Sequence, residues 1–372
     1  MRLEKLRVPF NYLDRQFADM DLYLDDIKEL VKTGDFTIGA PVGEFERSIA
    51  EKSGIPYSVG VASGTDALIL SLKVMGVGPG DEVITTPFTF IATVGAIVAA
   101  GARPVFVDSN ESFLIDPSKI EDAITDKTRV IMPVHYTGNV ADMAPIVEIA
   151  NRRGLAIVED ACQAIMASDG GQPVGSMGDA AGISLHPLKN LNVWGDGGVI
   201  LTRSEETYGK LRLLRNHGLA TRDEVTVFGQ NSRLHSLQAV VGIRLLEQLE
   251  WITDQRRSIA SAYDEAFADL PEFIQTPPVR PSVRHVYHLY MLRVQRRDEL
   301  LAYLIDNGVE AKIHYPIPVH LQEAAASLGY KKGDFPMSEQ SCNSIISLPL
   351  HQHLTSDEVQ ATIEQVRRFY GK

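Results

Sequence analysis

Apolar positions along this chain switch between a helical and a strand-like period. Residues 13–33 repeat every three to four positions, which predicts an amphipathic helix ended by Gly34. After a loop from Phe36 to Pro41, a second helix is expected at 42–53. Short apolar runs then alternate with helical windows. The runs at 57–61, 82–85, 104–108, 130–134, 155–159, 180–184 and 198–202 read as strands, and helices are expected at 65–75, 90–100 and 141–153. Strands this uniformly apolar belong in a mostly parallel sheet sandwiched by helices, an α/β architecture. Ligands of such sheets bind beyond the carboxyl ends of the strands. The turn at Ser63-Gly64-Thr65, the segment from Pro87 to Phe90, and Asp160 all fall at such ends.

The second part of the chain has a different rhythm. A long helix is expected over 236–268, with an interruption left open. Residues 285–294 alternate like a strand, 297–307 are helical and stop at Asn307-Gly308, and 310–314 read as another strand. A terminal helix is expected over 355–370, with Ser356 as N-cap and Glu358 nearby. This predicts a large domain over 1–245 and a smaller C-terminal α+β domain over 246–372, joined through the long helix. No internal repeat or low-complexity tract interrupts the pattern.

Charge and composition narrow the function. A net charge of −12 over 372 residues argues against nucleic acid as a partner, which would require a basic patch. Two cysteines, Cys162 and Cys342, make neither a disulfide framework nor a metal cluster and suit a reducing, cytoplasmic setting. The opening residues MRLEKLRVPF carry no long apolar stretch, so no secretion signal is expected. No apolar run is long enough for a membrane span.

The chemistry concentrates between Asp160 and Lys189. Asp160 closes an apolar strand, and a buried carboxylate there needs a cation or several donors. Lys189 follows Ser184-Leu-His-Pro-Leu in a stretch poor in charge, where its amine must be partnered or have a lowered pKa. A lysine amine that forms a Schiff base and a carboxylate that pairs with a protonated pyridine are what pyridoxal phosphate requires. Ser184 suits its phosphate, though it also reads as a satisfied strand hydroxyl. Gly64 and Thr65 open a helix whose free N–H groups favour an anion. Phe90 is placed to stack on a ring or to fill the core. Gln163, three residues after Asp160, is within reach of the ring hydroxyl or its face. Asn231, before the long helix, reads as a cap or as a reach toward a neighbouring subunit. His314, Tyr315 and His320 form a polar, proline-flanked loop that reads equally as a substrate pocket or a bland loop.

Together these blocks resemble the DegT-type (DegT/DnrJ/StrS) sugar aminotransferases, which are fold-type I pyridoxal-phosphate enzymes. The resemblance runs nearly end to end. It includes Gly39-Ala-Pro-Val-Gly-Glu-Phe-Glu46, Ser63-Gly-Thr-Asp-Ala-Leu68, Phe88-Thr-Phe-Ile-Ala-Thr93, Glu159-Asp160-Ala-Cys-Gln163, the block from Ser184 to Lys189, Asn231-Ser-Arg233 and His314-Tyr-Pro. It implies that Lys189 carries the cofactor and that Asp160 faces the pyridine nitrogen. Gln163 would sit near a cofactor oxygen, and Gly64, Thr65 and Ser184 would bind the phosphate. Phe90 would be the stacking ring, and Asn231 would reach the cofactor of the other subunit in a homodimer. The implied reaction moves an amino group, with glutamate as donor, to a keto-sugar that is nucleotide-linked. Two departures are minor: Asp196 stands where the family often has Glu, and Cys162 where a small residue is common. A keto-cyclitol or sugar-phosphate acceptor and a non-catalytic sensor are the competing readings. A dehydratase branch has His in place of the lysine, so Lys189 disfavours it.

Overall fold

The computed structural model describes residues 7–372. Its N-terminal part holds three helices, α1 (Leu13–Gln16), α2 (Met20–Thr33) and α3 (Ala40–Ser53). The single helix expected over 13–33 is therefore two. The Phe17 ring leaves the helical stripe to pack edge-on against Tyr23 and Trp194, at 5.4 and 5.6 Å between centroids. Asp19 then occupies the N-cap position of α2.

Seven strands form the central sheet: β1 (Tyr57–Val61), β2 (Glu82–Thr85), β3 (Arg103–Phe106), β4 (Thr128–Ile131), β5 (Ala156–Asp160), β6 (Ala180–Ser184) and β7 (Gly198–Thr202). Their order is β1-β7-β6-β5-β4-β2-β3. Only β7 runs antiparallel to its neighbours; the pairs from β6 to β3 are all parallel. Side chains of consecutive residues point to opposite faces, and the core divides accordingly. Val83, Val130 and Val158 pack under α4 (Gly64–Val74) and α5 (Ile91–Ala99). Ile84, Ile131 and Ile157 pack on the other face with α6 (Met143–Arg153) and α3. Both faces are dry, which is why these strands read as near-continuous apolar runs.

After α7 (Glu205–Leu214), the long helix breaks at Gln248 into α8 (Ser236–Glu247) and α9 (Leu249–Phe267). Leu249 and Ile252 of α9 belong to the large core. Ile259, Ala260, Tyr263 and Phe267, on the same stripe, belong to a second core that also takes in Val8. The two cores thus meet along α9. The second core packs around a three-stranded antiparallel sheet, β8 (Ile274–Gln275), β9 (Tyr290–Val294) and β10 (Ile345–Leu348), in that order. Helices α10 (Arg297–Asp306) and α11 (Ser356–Phe369) cover it.

Three expectations need correction here. Strand β9 begins at Tyr290, not at 285, because Tyr287 takes a positive φ of 45° and Val286 N–H donates to Gly138 O, folding this stretch onto the loop after β4. Residues 310–314 form no strand; Lys312 makes only a single bridge to Ser347, and the pairing strand is β10. The N-cap of the last helix is Thr355, one residue earlier than expected. Its hydroxyl accepts from Glu358 N–H at 3.2 Å while the Glu358 carboxylate accepts from Thr355 N–H at 2.8 Å. Replacing Thr355 with Ala should lower the unfolding free energy by about 1 kcal/mol, and Ser356→Ala by less than half of that. Urea denaturation of the two variants checks this; equal losses would move the cap back to Ser356.

Candidate active site

A cavity of about 400 Å³ opens where β1, β2, β5 and β6 end. Its walls bring together Gly64, Thr65, Phe90, Ser184, Lys189, His314 and Tyr315. Residues far apart in sequence meet here because parallel strands present their carboxyl ends on one edge.

One end is built for an anion. Ser63 caps α4 by accepting from Asp66 N–H at 3.0 Å. Among the described residues, the N–H groups of Gly64 and Thr65 have no acceptor, so they remain free to meet negative charge along with the helix dipole. Ser184 Oγ accepts from His186 N–H at 3.3 Å, which leaves its own proton to donate. The helix start and β6 approach so closely that a Cβ at Gly64 would lie 2.6 Å from the Cβ of Ser184. Only glycine fits there.

Asp160 lies behind the cavity, 4% exposed. Its Oδ1 accepts from Cys162 N–H at 3.2 Å and its Oδ2 from the Thr93 hydroxyl at 2.7 Å. Gln163 is also set behind the wall, its Oε1 accepting from Thr137 N–H at 2.8 Å. Lys189 follows β6 in a tight turn, its N–H donating to His186 O at 2.8 Å. Its carbonyl accepts from Asn192 Nδ2 at 2.9 Å and from the Tyr12 hydroxyl at 3.3 Å. The backbone is pinned, and the amine has no hydrogen-bond partner among the described residues. Burial pushes its pKa down, against the smaller pull of Cys162 and Asp160.

The outer walls carry aromatic and histidine rings, with Asp196 and Arg256 as charged members of the lining. Phe90, at the N-cap position of α5, stands over the mouth with its ring 5.5 Å from that of Tyr315. Burial holds His314 down at about 4, helped by Lys312 and Lys189, and pushes Tyr315 up to about 12. His288 is held well below the usual histidine range by burial and then by Lys189. Asn190 donates through Nδ2 to Val286 O at 2.9 Å, so its Oδ1 faces His288 Nδ1 at 3.3 Å. The histidine therefore carries its proton on Nδ1 and presents a bare Nε2.

Two of the predicted residues lie elsewhere. His320 is buried away from the cavity, bonded to Glu339 at 3.1 Å and packed on Phe335, so it does not join the substrate wall. Asn231 is exposed, bridged only to Asn216, and does not line this chain's cavity. Sequence reasoning missed Phe10, Tyr12, His186, His288 and Arg256 as lining residues. Arg256 had a readable signal. It falls on the apolar stripe of α9 with Ile252, Ile259 and Tyr263, where a charged residue is out of place. It is fully buried and donates to Gln352 Oε1, to the Tyr12 hydroxyl, and to the carbonyls of Tyr287, His288 and Leu350.

These features fit pyridoxal phosphate: an unpaired lysine amine, a buried carboxylate able to face a ring nitrogen, and an anion cradle that a Cβ at position 64 would fill. The group supplies an electrophilic carbon and an electron sink when bound. A fold-type I, pyridoxal-phosphate-dependent aminotransferase is the class this fold and site define. The profile of the DegT/DnrJ/EryC1/StrS aminotransferase family matches residues 19–367, and the chain belongs to that family. It is 41% identical to a pleiotropic regulatory protein of Geobacillus stearothermophilus, over 98% of this chain and 99% of that one. It is 38% identical to dTDP-3-amino-3,4,6-trideoxy-alpha-D-glucose transaminase of Streptomyces venezuelae, over 99% and 97%. Among solved structures, S. venezuelae DesV with a ketimine intermediate superposes at a TM-score of 0.96 with 38% identity, covering 99% of both chains. NtdA of Bacillus subtilis, with the cofactor PMP bound, superposes at 0.93 with 33% identity over 98% and 85%. Among the described residues no cluster of His, Cys, Asp or Glu could hold a metal, and no helix is long and apolar enough to cross a membrane.

The buried histidines predict an acid limit. Burial holds His285 and His351 at about 3 and His314 at about 4, below their ordinary 6.5. Between these values the unfolded chain binds protons that the folded protein refuses. Stability is therefore fully present above pH 6.5 and is lost as pH falls toward 4, with a slope approaching about 1.4 kcal/mol per pH unit for each histidine. Urea midpoints at pH 7 and pH 5 measure this. A flat profile over that window, above the carboxylate range, would rule it out.

Proposed function

We propose that this protein transfers the amino group of glutamate to the carbonyl carbon of a nucleotide-linked keto-sugar, as a cytoplasmic homodimer whose sites are shared between subunits. The unpaired, desolvated amine of Lys189 beside Asp160 carries the reading. Lys189 Nζ holds the cofactor at rest and, once the donor amine has taken its place, moves the proton at the donor Cα. Burial lowers the pKa of this amine, which favours its unprotonated form. Asp160 holds a proton at the ring nitrogen. Gly64, Thr65 and Ser184 bind the phosphate, Phe90 stacks on the ring, and Gln163 supports the ring from behind the wall.

The sugar reading is supported by the transaminase names among the relatives and by the uncharged rings of the outer wall. His288, His314 and Tyr315 offer hydrogen-bonding groups without charge, which suits hydroxyl-rich substrates. The shared site is supported by Asn231, whose exposed position outside its own cavity leaves it free to reach a second copy. The cytoplasmic setting is supported by the unpaired thiols of Cys162 and Cys342. Some relatives carry regulatory names; a sensor needs no base at the donor carbon, and Lys189 is a base.

Purified protein given pyridoxal phosphate should develop an absorbance band that Lys189→Ala abolishes. Borohydride should then fix the label on the peptide containing Lys189, and a label on another lysine would remove the assignment. With glutamate, a panel of nucleotide-linked 3-keto and 4-keto sugars should include one that turns over. If none does while the cofactor binds normally, the nucleotide-linked acceptor falls, and turnover of a keto-cyclitol or sugar phosphate then separates those acceptors from the sensor reading.

Mixing tests the assembly. Lys189→Ala and Asn231→Asp should each be inactive alone. Reversible dissociation and remixing should restore part of the activity, because a mixed dimer gathers both defects in one site and leaves the other intact. Heterodimers without activity would refute sharing.

A further inference from the structure

We propose that Thr93 is a positioning residue that fixes the carboxylate of Asp160 against the cofactor's ring nitrogen, through a relay that begins at Thr89. The inference rests on the reading of Asp160 as the ring-nitrogen partner. Thr93 and Thr89 are 1% and 5% exposed, so neither hydroxyl has bulk water to satisfy it. Thr93 Oγ1 lies 2.7 Å from Asp160 Oδ2 and 2.7 Å from Thr89 Oγ1. An ionised carboxylate only accepts, so the single Thr93 proton goes to Asp160. The other contact then requires Thr89 to donate. The order Thr89 to Thr93 to Asp160 is fixed by this count.

A carboxylate turns easily about its last torsion, which has broad wells. Two anchors hold Asp160: Cys162 N–H on Oδ1 and Thr93 on Oδ2. The first comes from the chain immediately after Asp160. The second comes from the first turn of α5, three residues after Phe90 at the cavity mouth. One helical turn thus sets both the ring that would stack on the cofactor and the angle of the acid that would face its nitrogen. A threonine in a first turn ordinarily serves its own backbone; this one reaches across to another strand.

The test compares Thr93→Val, Thr93→Ser, Asp160→Asn and the double variant Thr93→Val/Asp160→Asn. The readouts are equilibrium affinity of the cofactor-free protein for pyridoxal phosphate, absorbance of the bound cofactor, and Tm of the cofactor-free protein. Thr93→Val should weaken cofactor binding about tenfold, the value of one hydrogen bond to a charged group, and shift the absorbance band. Its Tm should stay near that of the parent. Thr93→Ser should recover to within about threefold, and Thr93→Val should add less than about twofold in the Asp160→Asn background. Parent-like affinity in Thr93→Val overturns the proposal. So does a serine variant as weak as the valine one, which would show that the hydroxyl alone does not restore binding, and so does an undiminished effect without Asp160. If Asp160→Asn itself leaves affinity and spectrum unchanged, the ring-nitrogen reading falls and this inference with it. Should Thr93→Val not fold, Thr89→Val, which replaces only the outer hydroxyl with a methyl group, must weaken binding in the same direction; unchanged affinity there also overturns it.

Discussion

Burying an ionised carboxylate costs several kcal/mol unless it is held by donors, and this protein places two such groups side by side at the end of β5. Glu159 and Asp160 point to opposite faces of the sheet. Glu159 is wholly buried and accepts from the N–H groups of Gly175, Met177 and Gly178 and from His135 Nε2. Ala141 N–H donates to His135 Nδ1, so the histidine proton sits on Nε2 and points at Glu159. These bonds tie the loops after β4 and before β6 to the strand end. With that scaffold behind it, Asp160 can be left one open side toward the cavity.

The same logic divides charge across the site. Free N–H groups and a hydroxyl collect at the α4 end, where negative charge is welcome. The amine of Lys189 lies near Asp160, its pKa lowered by burial. Beyond it burial disfavours the charged forms of His288, His314 and Tyr315. Arg256 is the one buried cation of the outer wall, and three carbonyls spread its charge. The site thus gathers its anion-binding donors at the α4 end, away from the buried rings of the outer wall.

Much of this was legible in the sequence. Parallel strands buried on both faces leave plain apolar runs, and the motifs sit at their ends, so Gly64, Thr65, Phe90 and Asp160 could be placed on one edge from the sequence alone. The failures have a common physical source. Residues 285–289 and 310–314 carry strand-like sidedness because they pack on the core as irregular chain, without a ladder partner. Phe17 breaks a helix because a distant tryptophan offers a better contact. Tyr12, Arg256 and His288 reach the cavity only through the meeting of the N-terminal segment, α9 and the small sheet, and no local pattern encodes that meeting. His320 kept company with His314 and Tyr315 in sequence but found Glu339 and Phe335 instead.

That meeting also governs how the cavity comes into being. Its walls draw on Tyr12, on the strand ends between Ser63 and Lys189, on Arg256, and on residues as late as Leu350. The Tyr12 hydroxyl ties Lys189 to Arg256, and Arg256 in turn holds the carbonyl of Leu350. No contiguous fragment contains the site. A ribosome must release nearly the whole chain before the walls can close, whereas the parallel sheet has its strands much earlier. Contacts of such long sequence separation form late and slowly. A partly made chain can therefore carry a folded sheet with Lys189 still facing water, and the cofactor pocket is among the last parts of the molecule to exist.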